Sequence, residues 1–432
     1  MESNRQEYKR ELTDSLEKEA VAFLNCPGGG VIDIGIDADG SVVGMSDVDG
    51  MQLKIKDRLK NNIQPSCLGL FDVFHEKRDG KDIVRIIFAS GPEKPYYLRK
   101  YGMSEKGCYI RVGSASEPMT ARMIEEMFSK RTRNTIGFMP SPRSDLSFEQ
   151  LKIYYEEAGL ALNSQFLSNL ELLTPDGKFN YAAYLLADEN GISVKVAKYS
   201  DAARVDLIEN HEYGNCSLVK AVKRVLDRLD VENTTFTRIT SKERLERRMI
   251  DPTALREAVI NAIVHNDYSN GGSPKFELFP DRMEITSVGG LPFEFNKGDF
   301  FSGLSVPRNK ELMRIFGDLE LVEHLGSGIP RILKKYDPRV FQITDHFLRV
   351  TFEYRKSFED EKSSEKSSEK SSEKIFGLIR RNANITTAEL AEALRISTRA
   401  VEKQLVKLRE RGSLRRIGPD KGGHWEITEN GK

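Results

Sequence analysis

The sequence predicts a multidomain α+β protein, and three observations carry that prediction. At 432 residues the chain is too long for one ordinary domain, since domains run to roughly 150 residues. Helical and strand periodicities alternate without a fixed repeat as far as residue 354. A serine and charge repeat, KSSEKSSEKSSEK at 362–374, offers nothing apolar to bury and sets off a short final segment. The domains expected are 1–131, an α+β connector at 148–247, a third unit at 248–354, a flexible linker at 356–374 and a tethered module at 375–432. Pro140 and Pro142 mark the softer break at 132–147.

Composition limits the partners. Lys plus Arg and Asp plus Glu both number 66, so the net charge is zero and any charged-partner argument is local. No 18-residue apolar run occurs, and the opening MESNRQEYKRELTDSLEKE lacks a signal-peptide core, so a cytoplasmic protein with no membrane partner is expected. Cys26, Cys67, Cys108 and Cys216 form no C-x-x-C pair and are expected to be free thiols.

Within 1–131, Leu12, Leu16, Ala20 and Phe23 recur at helical spacing over 7–24. CPGGG then turns the chain into the strand VIDIGID, with a hairpin turn at 38–40 leading to SVVGM. DIVRIIFAS reads as a later strand, and ARMIEEMFSKR as a closing helix. The order ES-x-x-x-E-x-K, AFLN-x-x-GGGVIDIGID and G-x-YIRVGS resembles the Schlafen-type AlbA domain, also called divergent AAA, over 1–125. In the nucleases of that family three acidic residues hold metal. The resemblance carries two of them onto Glu2 and Glu7 and the third onto Ala38, between Asp37 and Asp39, so the ligand set is short by one. Without a metal, Glu2 and Glu7 suit a solvated helix start, and Asp39 suits a D-G turn. Arg99, Lys100, Lys106 and Arg111 interleave with Tyr96, Tyr97, Tyr101 and Tyr109, a pattern that suits either phosphate contact with base stacking or an ordinary solvated hairpin.

The connector reads as a helix, SFEQLKIYYEEAGL, two strands, YAAYLLAD and ISVKVAKYS, and a second helix, SLVKAVKRVLDRL. In 248–354, PTALREAVINAIVHNDYS is a proline-initiated helix, followed by strands KFELFP and RMEITSV. His265, Asn266 and Asp267 after the helix suit a C-cap and turn rather than a metal site. This segment resembles a divergent GHKL-type ATPase module, an α/β sandwich found at the C-terminal end of RecG-like proteins. The resemblance implies a water-polarising Glu257 and a Mg²⁺-holding Asn261 on one helical face. It also implies an adenine box at Ser287-Val288-Gly289-Gly290-Leu291, lacking its aspartate, and a phosphate loop at Gly326-Ser327-Gly328. ATP and Mg²⁺ are the cofactors so implied. A helicase motor is not expected, because the chain has no G-x-x-x-x-G-K-[ST] loop.

The module at 375–432 reads as a winged helix-turn-helix: IFGLIRRN, TTAELAEAL capped by Thr386 or Thr387, STRAVEKQLVKLRERG, then a hairpin with a Pro-Asp-Lys-Gly-Gly wing. Val401, Leu405 and Leu408 mark the core face of the third helix, while Arg399, Lys403, Lys407 and Arg411 recur every four residues on another. Twelve Lys or Arg stand against seven Asp or Glu, an excess of five positive charges. Such an excess suits double-stranded DNA, with Ser397, Thr398, Arg399, Lys403 and Lys407 at the groove and Arg415, Arg416 and Lys421 at the flanking backbone. The function expected is a homo-oligomeric DNA-binding transcriptional regulator, possible modulation by nucleotide included. The alternative is an enzyme acting on nucleic acid: a metal-dependent nuclease at Glu2 and Glu7, or an ATPase at Glu257 and Asn261.

Overall fold

In the computed structural model the described residues are 2–131, 135–240, 242–292, 295–355, 374–394, 397–410, 412–418 and 423–428. The chain divides into two compact units, one of residues 1–234 with 250–354, the other of 235–249 with 355–432. The protein is α+β, as expected.

The first unit opens with a four-stranded sheet in the order β1-β2-β5-β4, formed by β1 (Gln6–Lys9), β2 (Gly30–Ile34), β4 (Phe71–Arg78) and β5 (Lys81–Phe88). Helices α1 (Leu16–Asn25) and α2 (Val48–Asn62) contribute Leu16, Ala20, Phe23, Leu24, Ile55 and Leu59 to its core. Short strands β3 (Ile63–Gln64), β6 (Tyr97–Leu98), β7 (Tyr109–Val112) and β8 (Ala115–Pro118) and helix α3 (Ala121–Ser129) complete the region.

Two expectations fail here. Residues 6–9 form a strand, not the start of a helix, because they pair in parallel with β2, Glu7 opposite Ile32. The QEYK stretch has no apolar rhythm, so only the partner strand fixes its state. The turn after β2 does form, Gly40 N–H donating to Asp37 O at 2.8 Å, but the return strand reduces to one bridge between Ile36 and Val42. The strand β2 pairs with β1 and β5 instead.

Beyond it lie α4 (Glu149–Glu157), α5 (Phe166–Asn169), α6 (Tyr181–Leu186), β9 (Lys195–Tyr199), β10 (Leu207–Glu212) and α7 (Leu218–Glu232). The expected strand at 181–188 is the helix α6: Asn180 caps it by accepting from Ala183 N, and a short apolar run alone does not distinguish the two states. The hairpin β11 (Thr235–Ile239) and β12 (Arg244–Arg248) belongs to the second unit. The chain re-enters the first with α8 (Pro252–Val264), β13 (Lys275–Leu278), β14 (Arg282–Val288), α9 (Lys297–Phe301), α10 (Lys310–Asp318), α11 (Gly328–Leu333), β15 (Phe341–Ile343) and β16 (Phe347–Glu353). One six-stranded sheet runs β10-β9-β13-β14-β16-β15. The segment at 148–247 is therefore not a separate connector: β9 lies parallel to β13 and shares its core, with α7 and α8 packed on that face.

In the second unit, α12 (374–381), α13 (Thr387–Leu394) and α14 (Thr398–Glu410) enclose Ile375, Ile379, Leu390, Val401, Leu405 and Leu408. Thr386 and Glu389 form a reciprocal cap, Glu389 N–H donating to Thr386 Oγ1 at 3.2 Å and Thr386 N–H to Glu389 Oε2 at 2.7 Å. The strands β17 (Leu414–Ile417) and β18 (His424–Ile427) pair as the wing's stem. Of the expected linker 356–374, Lys374 already belongs to α12, and 356–373 lie outside the described residues.

Candidate functional site

The acidic residues of the first domain are committed to structure. Glu2 Oε1 accepts from Tyr8 N–H at 3.3 Å. Glu7 is buried on β1, not solvated at a helix start, with Arg111 Nη1 3.0 Å from Oε2 and Lys9 Nζ 2.7 Å from Oε1. Arg111 also donates to Glu19 at 3.0 Å, to Ser3 O and to Ser114 O, and its guanidinium lies 4.7 Å from the Phe23 ring centroid. Its side chain is only 1% exposed. Arg111 is thus withdrawn from the expected phosphate-contacting face, as is the fully buried Tyr96. Arg99, Lys100, Lys106 and Tyr101 remain exposed there. Asp37 pairs with Arg10, and Asp39 accepts from Ser41 N–H at 2.8 Å, a turn role. Among the described residues no group of three His, Cys, Asp or Glu is placed to hold a metal ion.

Two further residues of this domain carried no sequence signal. Asn25 on α1 accepts from Tyr96 N–H at 2.7 Å and donates to Tyr96 O and Tyr109 O, each at 2.9 Å, tying β6 and β7 to the helix. Asp33, fully buried on β2, is held by Arg85 at 2.8 Å and Arg78 at 3.1 Å. Each is one polar letter inside an apolar run.

In the second domain the resemblance-derived residues do converge. Glu257, Asn261, Gly289, Gly290, Gly326 and Gly328 line one cavity, of about 120 Å³, walled by Phe295, Phe300 and Phe341. Asp251 caps α8 and Pro252 opens it, which sets Glu257 and Asn261 one turn apart on the cavity side. Gly326 requires glycine: its φ is +77°, and a Cβ there would stand 2.1 Å from Gly303 O. Gly328 packs so closely on the helix that a Cβ would lie 2.7 Å from Glu257 Oε2 and 2.9 Å from Asn261 Nδ2. Glu257 Oε1 accepts from Arg331 Nη1 at 2.7 Å. Beside the cavity, Arg308 donates to Gly290 O at 2.7 Å and pairs with Asp267 at 3.3 Å. His265 forms the C-cap of α8, its burial depressing its pKa to about 4, and Asn266 bonds Gly272 O and Val288 N–H, so the trio is a cap and turn.

These residues do not fit a nucleoside triphosphate with its Mg²⁺. The volume falls below the roughly 300 Å³ at which ligand pockets begin. Arg331 occupies the carboxylate that would polarise water, and at the adenine position Ser287 directs its hydroxyl to Leu348 O at 3.4 Å.

In the winged module Ser397 and Thr398 are exposed at the start of α14, and Arg415 is exposed on β17. Arg416 lies over the Trp425 ring, 4.7 Å from its centroid, while Trp425 Nε1 donates to Ile385 O. Arg399, Lys403 and Lys407 lie on α14, their side chains outside the described residues together with Arg411 and Lys421. Val401, Leu405 and Leu408 are buried, so the helix presents its expected inner face to the core.

Three family models match the chain: Schlafen, AlbA_2 over residues 2–120, ATP-dependent DNA helicase recG C-terminal over 271–352, and winged helix-turn-helix DNA-binding over 369–413. The second begins after α8, so Glu257 and Asn261 lie outside its matched span. No curated protein matches. A crystal structure of the DIP2311 protein from Corynebacterium diphtheriae aligns over 99% of this chain and 92% of that one, at 17% identity and a TM-score of 0.47. No helix among the described residues is long and apolar enough to cross a membrane. The chain carries, in order, a Schlafen AlbA_2 domain, a RecG C-terminal ATPase-like domain and a winged helix-turn-helix DNA-binding module.

Proposed function

We propose that the protein is a DNA-binding transcriptional regulator that reads duplex DNA through α14 and the β17–β18 wing. The observation that carries this reading is the winged module itself: its core consumes Val401, Leu405 and Leu408, leaving the Arg399, Lys403 and Lys407 positions of α14 off the core face, in a segment with five excess positive charges. In this reading the RecG-type domain is a scaffold without nucleotide, since its glutamate is ion-paired and its cavity small. The nuclease alternative loses its support with Glu7 buried against Arg111.

Self-association belongs to the same proposal. One winged helix gives modest affinity, and two on joined chains act at high effective concentration. The edge strand β10 offers a surface for it, with Leu207 and Ile208 at least half exposed and Val205 beside them at 75%. Light scattering of the full chain is expected to give a dimer, dissociated by Ile208→Lys; a monomer with and without DNA contradicts this part.

The regulator claim needs sequence preference as well as DNA affinity. Selection from a random duplex library with the full chain is expected to enrich one motif, bound about 10³-fold or more above random DNA. A library that emerges without enrichment contradicts regulation even where DNA is bound.

A further inference from the structure

A second cavity, of about 560 Å³, opens where the AlbA_2 domain meets the six-stranded-sheet domain within the first unit. Glu93, Glu171, Glu311, Lys310 and Arg131 line it, between walls that include Pro65, Tyr97, Phe138 and Pro175. Both cations serve Glu93: Lys310 Nζ lies 3.1 Å from Glu93 Oε1 and also donates to Ser66 O, and Arg131 Nη2 lies 3.8 Å from Glu93 Oε2. Glu311 is 4% exposed, and its Oε2 has no hydrogen-bond partner among the described residues. It abuts Gly137, where a Cβ would stand 2.3 Å from Oε1, so the space beside the carboxylate is kept open by a glycine. Glu171 lies close enough to raise Glu311's pKa and has no ion-pair partner among the described residues.

A buried carboxylate without a partner is costly, and a native fold retains one where something else satisfies it. We propose that this cavity binds a small organic cation, an ammonium or guanidinium, whose donors engage Glu311 and Glu171 while its body rests on the proline and aromatic walls. A guanidinium supplies the paired N–H donors that a carboxylate accepts best, and Tyr97 and Phe138 offer ring faces to the charge. A divalent ion fits less well, since it needs several converging oxygens and no such group of three is present among the described residues.

Burial and the nearby Glu93 and Glu171 hold Glu311 protonated up to about pH 7, Lys310 opposing them. Binding should therefore strengthen between pH 6 and pH 8 as the carboxylate ionises.

The test is calorimetric titration of the full chain with agmatine, which carries a guanidinium and an ammonium, against NaCl of matched ionic strength and against MgCl₂. One saturable agmatine site is expected, tighter at pH 8 than at pH 6. Glu311→Gln should weaken it by about tenfold or more, as for loss of a charge-assisted hydrogen bond, with Glu171→Gln acting in the same direction. Glu156→Gln, on an exposed face of α4, should leave it unchanged. Absence of saturable heat, unaltered binding in a folded Glu171→Gln, or stoichiometric displacement of agmatine by Mg²⁺ would overturn the proposal.

Discussion

The AlbA_2 domain and the winged module both interleave basic residues with aromatic rings, yet the fold uses the two sets differently. In the first domain Arg111 is drawn inside, between Glu7 and Glu19, and Tyr96 is buried with it. In the winged module Arg415 stays exposed, and Arg416 rests on Trp425, itself anchored to Ile385. A cation serves structure when a carboxylate of the same core reaches it first, and serves a partner when the local balance leaves it over. The winged module's five excess charges make the second outcome general there; in the first domain only the 99–106 turn retains it.

That contrast breaks most sharply at Arg111. Its removal strands Glu7 and Glu19 in the core, so Arg111→Ala should lose about 3–5 kcal/mol of stability in urea unfolding, a far larger effect than any loss of nucleic-acid affinity in the protein that still folds. A variant that unfolds like wild type but binds nucleic acid poorly would reverse the assignment. Next comes the winged module. Arg399→Ala with Lys403→Ala should weaken duplex binding by about 2–3 kcal/mol and lower the salt slope by about two, with an unchanged unfolding midpoint.

A smaller effect sharpens the comparison from the acidic side. Glu311 titrates near pH 7 in the fold against an ordinary value of 4.5, so its contribution is fully present below pH 4.5 and is lost as pH rises to about 7. Glu311→Gln should therefore raise stability at pH 8 by about 1–3 kcal/mol without ligand and change little at pH 4. A variant no more stable at pH 8 would mean the carboxylate has a partner. The smallest effect belongs to the exposed turn: Lys100→Ala should alter duplex affinity by less than about 0.5 kcal/mol, since an exposed charge outside the reading module contributes little.

The parts legible in the sequence are those whose signal is local. The Thr386–Glu389 cap, the apolar rhythm of α14 and the proline-opened α8 all sit within one or two turns of chain. The four-residue spacing of Glu257 and Asn261 gave their common cavity face. What stayed hidden depends on remote partners. Strand β1 exists because β2 lies beside it, and Arg111 is buried because Glu7 and Glu19 meet it from about a hundred residues away. The ion pair of Arg331 with Glu257, which removes the ATPase reading, likewise spans 74 residues. Sharing of one sheet by 148–247 and 248–354 rests on the parallel pairing of β9 with β13, which no local pattern announces.

The central claim, that the winged module confers DNA binding on a chain of zero net charge, is tested most directly by anisotropy of labelled random duplex titrated with the full chain at several salt concentrations. The account predicts binding whose logarithm falls linearly with the logarithm of salt, a slope reduced by about two in Arg399→Ala with Lys403→Ala, and no change on adding ATP with Mg²⁺. Binding that is insensitive to salt, or that the double substitution leaves intact, would contradict it.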